Sequence, residues 1–512
     1  MLTYKTSRYT LLFIILTELI SLLGYYYQII NSLAFFAIAF LTLILSLRRL
    51  EYGLYILLAE LFIGSFGYLF YFENGGVKIS LRIALWLIIM SVWLARTILS
   101  GFKARRLEIV IFQSRYFNYF FALFIFVAWG VVNGLLNNNS LSNIFFDLNN
   151  WLYFLLIFPV FSVLRTENSL NAVKQIFLAS ASWLGVKTLI LAYIFSHNFT
   201  FFALDLYRWV RTSGAGEITQ VVPGFSRIFM QSHIFVLIGF FFFVIASVSH
   251  LSLRATEGSE AISRTPTSHK RFSAFNFPLS ALFLSAIIVS FSRSFWVGLA
   301  AGALTAWLIT IFKLKITLKQ FITYNLTVLS SVMLSLILII AVIKFPLPRA
   351  YGGFSAPDLL QQRATALANE AGAASRWQLL PVLWQKIKTA PVLGRGFGAT
   401  VTYKSSDPRV LAASPGGLYT TFAFEWGWLD VWLKLGLFGL LAYLALFIKL
   451  IKDGLKINSS LSLSLAVGLI ILAAVNIFSP YVNHPLGIGY IILVAAFMEM
   501  ISLPKYKISC IL

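Results

Sequence analysis

The chain has 512 residues, of which 59% are hydrophobic and 11% are charged. A soluble protein carries about 25% charged residues, so this composition excludes an ordinary soluble enzyme. The formal net charge of +22 would suggest nucleic-acid binding in a soluble protein. Here the excess lies mostly in short loops between apolar runs, where membrane topology explains it and no nucleic acid is expected. The one cysteine, Cys510, excludes an intrachain disulfide and a cysteine metal cluster.

Apolar runs of about 18 to 24 residues recur along the chain and are long enough to cross a bilayer as helices. We therefore predict an all-α integral membrane protein with about 14 transmembrane helices (roughly 12 to 14) and one large, partly helical extracytoplasmic loop. The predicted spans lie near 10–28, 30–47, 53–72, 81–99, 117–135, 147–164, 175–196, 226–249, 278–292, 294–312, 321–344, 426–450, 461–479 and 486–503.

Short basic loops set the predicted orientation, because cytoplasmic loops are enriched in Lys and Arg. If the N-terminus is inside, every strongly basic short loop falls on the cytoplasmic side, including Arg48-Arg49, Lys103 to Arg106, Lys313 to Lys319, Lys449 to Lys456 and Lys505 to Lys507. We expect a multi-pass protein of the cytoplasmic (inner) membrane with both termini in the cytoplasm. The first apolar run is interpreted as an uncleaved span.

This orientation divides the chain into three parts. Residues 1–344 hold the first spans and a flexible cytoplasmic linker at 251–277, residues 345–425 form the large extracytoplasmic loop, and residues 426–512 hold the last spans. Residues 345–424 contain eight Lys and Arg residues and three Asp and Glu residues. Long outer loops tolerate such positive charge, but topology does not explain it.

Arginines near the predicted outer face indicate an anionic ligand, because a guanidinium donates two hydrogen bonds to one phosphate group. The candidates are Arg211, Arg227, Arg293, Arg376 and Arg395. Arg293 stands between two serines in Phe-Ser-Arg-Ser-Phe-Trp, which favours a polar pocket over snorkelling to the membrane surface. For any one arginine, contact with lipid headgroups or with an acid is the alternative.

Within the large loop, the apolar residues of 377–387 fall at steps of three and four and predict an amphipathic helix. Proline is tolerated near the start of a helix, so either this helix begins close to Pro381, with Arg376 just before it, or Pro381 kinks the run. The Gly-Arg-Gly-Phe-Gly run at 394–398 permits a tight turn whose N–H groups would reach a phosphate. No strand precedes it and no helix follows, so a dinucleotide fold is not predicted.

Three short patterns follow one another between about residues 280 and 445. They are Ser292-Arg293-Ser294 before an apolar span; Ser375-Arg376-Trp377 followed by Pro391 and Gly394-Arg395-Gly396-Phe397-Gly398; and Glu425-Trp426-Gly427-Trp428-Leu429 leading to Gly436-Leu437-Phe438-Gly439. In their order and spacing they resemble the O-antigen ligase/O-antigen polymerase superfamily of polytopic membrane glycosyltransferases.

The resemblance implies a glycosyltransferase that acts on the outer face of the membrane without metal or cofactor. Its donor would be a polyisoprenyl-diphosphate-linked oligosaccharide, such as an undecaprenyl diphosphate glycan, and its acceptor a glycan or glycolipid. The product would be a polysaccharide of O-antigen, exopolysaccharide or capsule type, and the lipid bilayer and a chain-length regulator are the further implied partners. Together with the charge pattern, this gives Arg293, Arg376 and Glu425 as the predicted catalytic residues, and Arg211, Arg227, His233, Trp377, Arg395 and Gly396 as the predicted substrate-binding residues.

The chain departs from the ligase pattern at one place. Ligases of this family carry a His-Asn pair about eleven residues before Gly-Leu-x-Gly, where this chain has Glu425-Trp426. The missing histidine favours a polymerase over a ligase. Glu425 is predicted either as a general base or as the structural partner of an arginine, and His233 and His484 are weaker substitutes for the base.

A flippase or secondary transporter of the same lipid-linked glycans is the alternative. Glu18, Glu60 and Lys187 lie within predicted spans and could form a route for a coupling ion or proton. Asp430 and Lys434 are four residues apart on one helix and are expected to pair. Transporters usually show internal repeats, and no convincing repeat is present.

Overall fold

The computed structural model describes residues 3–104, 110–199, 201–256, 266–314, 317–351 and 371–502. Parts of the predicted linker and of the large loop, and the basic residues at 505–507, lie outside these ranges. The helices are α1 (Thr3–Tyr26), α2 (Gln28–Arg48), α3 (Leu50–Ile63), α4 (Leu81–Ala104), α5 (Phe117–Leu136), α6 (Leu141–Trp151), α7 (Ile157–Val163), α8 (Glu167–Ser196), α9 (Ala203–Thr212), α10 (His233–Thr256), α11 (Pro266–Ser290), α12 (Arg293–Leu308), α13 (Leu318–Ile343), α14 (Ala371–Lys388), α15 (Pro408–Ala413), α16 (Gly427–Ile457), α17 (Ser460–Val475) and α18 (Pro485–Ile501).

Three antiparallel hairpins connect some of these helices. They are β1 (Tyr71–Asn74) with β2 (Val77–Ser80), β3 (Glu217–Val222) with β4 (Phe225–Phe229), and β5 (Val401–Lys404) with β6 (Leu418–Thr421). Short 3₁₀ turns at Val110–Gln113 and Leu152–Leu156 and a π turn at Ile309–Lys313 complete the elements.

Length and composition make this a multi-pass helical membrane protein, as predicted. Among the described residues, nine helices are long and apolar enough to cross a membrane, and four shorter apolar helices accompany them. The total of 14 spans and their orientation stay predictions. Helix α18 is buried on all sides, which places it at the centre of the bundle.

Two predicted spans are shorter than expected, because a hairpin replaces part of each. Helix α3 ends at Ile63, and residues 71–80 form a hairpin whose tight turn uses Gly75 and Gly76, both with positive φ. Helix α10 begins at His233 and not near 226, because the chain before it pairs as β3 and β4.

The described part of the large loop folds around its own small core. Leu379, Leu383 and Ile387 lie along one face of α14 and pack against residues that include Val401 and Trp426. Helix α14 begins at Ala371 and contains Pro381 in its interior, so the alternative of a start near this proline is wrong and Arg376 lies within the helix. Burial of this apolar face stabilises the helix and offsets the cost of an interior proline. This tertiary contribution is not contained in the sequence pattern.

Candidate functional site

The described residues enclose a large cavity of about 1170 Å³ at one end of the helix bundle. Ligand pockets usually measure about 300–1,000 Å³, so this cavity has room for more than a single small molecule. Its walls come from the α3–α4 connection, α6, the β3–β4 hairpin, the α11–α12 turn, α14, the start of α16 and the α17–α18 connection. The predicted topology assigns these connections to the same side of the membrane.

The cavity wall is rich in charge. Within the part of the chain that the structure describes, its cationic side chains are Arg82, Arg211, Arg227, Arg293, Arg376 and Lys434, and its acidic side chains are Asp147, Glu217, Glu425 and Asp430. Aromatic rings, among them Trp86, Tyr153 and Phe422, and amides, among them Asn150 and Asn483, complete the lining. Such a mixture of cations, rings and amides suits a ligand that carries both phosphate and sugar.

The β3–β4 hairpin presents alternate side chains to this cavity. Ile218 and Ile228 form one cross-strand pair and are buried in the core. The neighbouring pairs, Glu217 with Phe229 and Thr219 with Arg227, line the cavity. The two-residue period of a strand thus separates a core face from a cavity face.

The turn between α11 and α12, which leads into Arg293, is hydrogen-bonded to this hairpin. The Nε atom of Arg227 donates to the carbonyl oxygen of Ser290 at 3.1 Å, and its guanidinium lies 5.0 Å from the centre of the Phe229 ring. Ser292 and Ser294 are buried with their hydroxyls 3.0 Å apart, and both line the cavity on either side of Arg293. The Ser-Arg-Ser segment therefore stands on a polar wall.

Arg376 and Glu425 face the cavity as an ion pair. The Nε atom of Arg376 donates to the Glu425 carboxylate, and both side chains remain partly exposed, at 37% and 49%. The indole of Trp426 donates to the carbonyl oxygen of Arg376 at 3.0 Å and fixes this turn of α14. Of the two roles predicted for Glu425, the pairing with an arginine is the one observed in this structure.

A buried polar network closes one wall of the cavity. Lys434 lies 2.7 Å from Asp147 and 2.7 Å from Asp430, and Asn483 donates to Asp430. The predicted Asp430–Lys434 pair is confirmed. Asp147 also accepts the backbone N–H of Gly398 at 2.7 Å, so the network connects α6, α16, the glycine loop and the α17–α18 connection.

The glycine loop at 394–398 packs between helices and does not line the cavity. Its backbone pairs with α5 through the Phe397 N–H, which donates to the Gly130 carbonyl at 2.8 Å. All three glycines have positive φ, and a Cβ on Gly396 would stand 2.0 Å from the backbone nitrogen of Gly134. Here glycine permits close packing of two backbones. The N–H groups of Gly394, Arg395, Phe397 and Gly398 donate within the protein.

The predicted site residues divide into two groups. Arg211, Arg227, Arg293, Arg376 and Glu425 all line the cavity. The remaining four, Trp377, His233, Arg395 and Gly396, do not appear in its lining.

Three of these four residues make contacts with other parts of the protein. Trp377 packs edge-on against Trp426 at 5.3 Å between ring centres. Arg395 donates to Thr389 and Asn137. His233 is fully buried, accepts the Met230 N–H and lies 2.8 Å from the Thr188 hydroxyl.

His484 lies at the cavity wall and caps the start of α18. Its Nδ1 atom accepts the Leu486 N–H at 3.3 Å, which places the ring proton of the neutral imidazole on Nε2. Burial, with a smaller contribution from the charge of Arg82, lowers the pKa of His484 to about 3. This histidine is therefore neutral at physiological pH and its lone pair is already used.

Residues 278–444 match the family described as O-antigen ligase. The match covers all three sequence patterns and about a third of the 512 residues, and it confirms the resemblance to the O-antigen ligase/polymerase superfamily. No curated protein matches the chain.

Several cavity residues lie outside the family segment and were missed from the sequence. Glu217 was missed because the run Glu217–Phe229 was divided between a loop and a span, although Pro223-Gly224 between alternating residues is a hairpin signal. Arg82 lies in the first turn of α4 and binds Glu60 through two nitrogens, at 2.9 and 3.0 Å. Asp147 was missed because its partner, Lys434, is 287 positions away.

Proposed function

We propose that the protein is a membrane glycosyltransferase that extends polyisoprenyl-diphosphate-linked glycans on the outer face of the cytoplasmic membrane. The observation that carries this proposal is the cavity, where Arg211, Arg227, Arg293 and Arg376 converge from four separate segments of the chain. The O-antigen ligase family segment contributes two of them, Arg293 and Arg376.

In this proposal the arginines bind the diphosphate of the donor. When the bond between the anomeric carbon and the diphosphate breaks, negative charge develops on the departing oxygen. Guanidinium groups already fixed around that position stabilise the charge without reorganisation. The hydrogen bond from Arg227 to the Ser290 carbonyl holds the hairpin arginine beside the turn that carries Arg293, so the two cations form one side of the donor site.

In this proposal Glu425 and the donor diphosphate compete for Arg376. In the structure its carboxylate is bound by that guanidinium. Binding of a diphosphate would release this carboxylate from Arg376. With no ligase histidine at this position, we favour transfer to another lipid-linked glycan, which is polymerisation, over transfer to a lipid A core.

Transport of the same substrate is the competing function. The ionisable residues suspected of forming a proton route divide into two pairs in the structure. Lys187 binds Glu18 at 2.8 Å, and Arg82 binds Glu60 at 2.9 Å, with all four side chains about 5% exposed. Because these charges already form buried ion pairs, they do not require a role in transport. This favours the enzyme over the transporter.

The test is glycan length on gels from a host that lacks the gene. The host is complemented with wild type, Arg293→Ala, Arg376→Ala, Glu425→Gln or the control Arg395→Ala, at matched membrane levels. We expect single repeat units on the outer face in the deletion strain, long chains with wild type and Arg395→Ala, and single units with Arg293→Ala and Arg376→Ala.

Two other outcomes would contradict the proposal. Long chains that form but remain on the lipid carrier in the deletion strain would indicate a ligase. Repeat units trapped on the cytoplasmic leaflet would indicate a flippase.

A further inference from the structure

The proton-accepting groups of the cavity differ in how far they are already engaged. The lining contains four carboxylates and one imidazole among the described residues: Asp147, Glu217, Glu425, Asp430 and His484. Transfer to a sugar hydroxyl requires one of these groups to accept the hydroxyl proton as the new bond forms.

Four of the five already bind groups of the protein. Asp147 accepts from Lys434 and from the Gly398 N–H, and Asp430 contacts Lys434 and accepts from Asn483. The other two, Glu425 and His484, are bound by Arg376 and by the Leu486 N–H, as described above. Each of these four groups therefore has at least one lone pair already engaged by the protein.

Glu217 is exposed at the cavity face of the β3–β4 hairpin. Within the described ranges, its carboxylate makes no hydrogen bond or ion pair. It therefore keeps its lone pairs available, and it faces the same space as the arginines proposed to bind the diphosphate.

Strand register fixes the spacing between Glu217 and Arg227, one of those arginines. Glu217 pairs with Phe229 and Thr219 pairs with Arg227, so Glu217 and Arg227 are diagonal neighbours on one face. Diagonal neighbours lie about 7–8 Å apart in an antiparallel pair. The Glu217 carboxylate and the Arg227 guanidinium therefore face the cavity side by side from the same wall.

We propose that Glu217 is the general base that activates the acceptor sugar hydroxyl. This inference rests on the proposed function and deepens it. The acceptor oxygen attacks the anomeric carbon and its proton passes to the Glu217 carboxylate. The bond from that carbon to the diphosphate oxygen breaks, and its electron pair leaves with the diphosphate, which the arginines hold. Glu217 then returns its proton to water, and the anomeric configuration is inverted.

The experiment uses the purified full-length protein in liposomes with a polyprenyl-diphosphate-linked repeat unit. Transfer to the sugar acceptor is compared with transfer to azide, an anionic nucleophile that needs no base. The variants are Glu217→Gln, Glu217→Asp and Glu425→Gln. Gln220→Ala is the control, since Gln220 is exposed on the same strand and does not appear in the cavity lining.

We expect Glu217→Gln to lose transfer to the sugar by about 10²–10⁴-fold, the usual contribution of general base catalysis. Azide transfer should stay within about threefold of wild type, and the acidic limb of the pH–rate profile should disappear from the residual sugar transfer. Glu217→Asp should restore part of the rate and keep the acidic limb. Gln220→Ala should match wild type.

Three results would overturn the inference. An unchanged rate and pH profile in Glu217→Gln would exclude Glu217 as the base. Parallel loss of sugar and azide transfer would assign it to folding or donor binding. Loss of the acidic limb in Glu425→Gln alone would transfer the role to Glu425. If wild type releases no diphosphate carrier with either nucleophile, the proposed function itself fails.

Discussion

Arg376 and Arg395 lie in the same loop and belong to the same sequence pattern, yet the structure gives them different surroundings. Arg376 faces the cavity from α14, whereas Arg395 points to Thr389 and Asn137 on the outside of the glycine loop. Sequence spacing identified both as cations near the outer face. The direction of each side chain depends on how α14 and the glycine loop pack, which local periodicity does not contain.

We predict a large loss of transfer for substitution of Arg376 and a small change for substitution of Arg395. Arg376→Ala should reduce transfer by about 10²–10³-fold, the usual loss when one preorganised donor to a developing negative charge is removed. Arg395→Ala should change transfer by less than about threefold. Initial rates of transfer with purified protein measure both effects. A loss of more than about threefold in Arg395→Ala would contradict the assignment of the cavity as the donor site.

A second residue-scale prediction concerns His484 and pH. The pKa of His484 is lowered to about 3 in the folded protein, below the value of about 6.5 expected in an unfolded chain. The unfolded state therefore takes up a proton first as pH falls below about 6.5, and this histidine reduces stability in acid. His484→Asn keeps a side-chain acceptor at the helix start and removes the titration.

The melting temperature in detergent should therefore fall less in His484→Asn than in wild type between pH 7 and pH 5. Equal decreases for the two proteins would show that His484 is not held neutral by burial.

At the scale of elements, the glycine loop is the main difference between expectation and structure. The turn itself was predicted, and all three glycines adopt positive φ. A phosphate contact was one possible use of its N–H groups, but those of Phe397 and Gly398 donate to α5 and to Asp147. Opposite the loop, α16 is interrupted at Gly436, where the Leu437 N–H donates to Pro391 and Val392 carbonyls at 3.1 Å. The two glycine motifs of the family segment thus meet each other.

Substitution of Gly396 by alanine should destabilise the protein strongly. The new Cβ would lie 2.0 Å from the Gly134 nitrogen at a residue with φ +75°, so two backbones would have to separate. Gly416→Ala is the matched control, because a Cβ there meets nothing within 4 Å. We expect a loss of several degrees or more in melting temperature for Gly396→Ala and less than about one degree for Gly416→Ala. Equal melting temperatures would contradict the packing described for the loop.

At the scale of the whole molecule, the sequence predicted the helical membrane class, the family and most of the helices, because long apolar runs and fixed motif spacing are local properties. It did not predict the hairpins at 71–80 and 217–229 or the network around Lys434. The hairpins are local: their strands pair directly across Gly75-Gly76 and Pro223-Gly224, turn signals that lay inside or beside predicted spans. The Lys434 network joins residues up to 287 positions apart, which one sequence does not specify.

Orientation is the whole-molecule prediction that cysteine labelling tests. Cys510 is first replaced by serine, and single cysteines are introduced at Gly416, beside the β5–β6 hairpin, and at Asn458, between α16 and α17. A membrane-impermeant maleimide should label Gly416→Cys in cells with intact inner membranes and Asn458→Cys only after these membranes are opened. The reverse pattern would place the cavity on the cytoplasmic side.

Reconstituted transfer is the most direct test of the central claim that the arginine-lined cavity polymerises lipid-linked glycans. Purified protein in liposomes receives a polyprenyl-diphosphate-linked repeat unit, and mass spectrometry follows the glycan and the released carrier. We predict glycans of two or more repeat units on one carrier, one polyprenyl diphosphate released for each new bond, and loss of both products in Arg293→Ala. Movement of an unchanged donor across the bilayer, with no carrier released, would contradict the account.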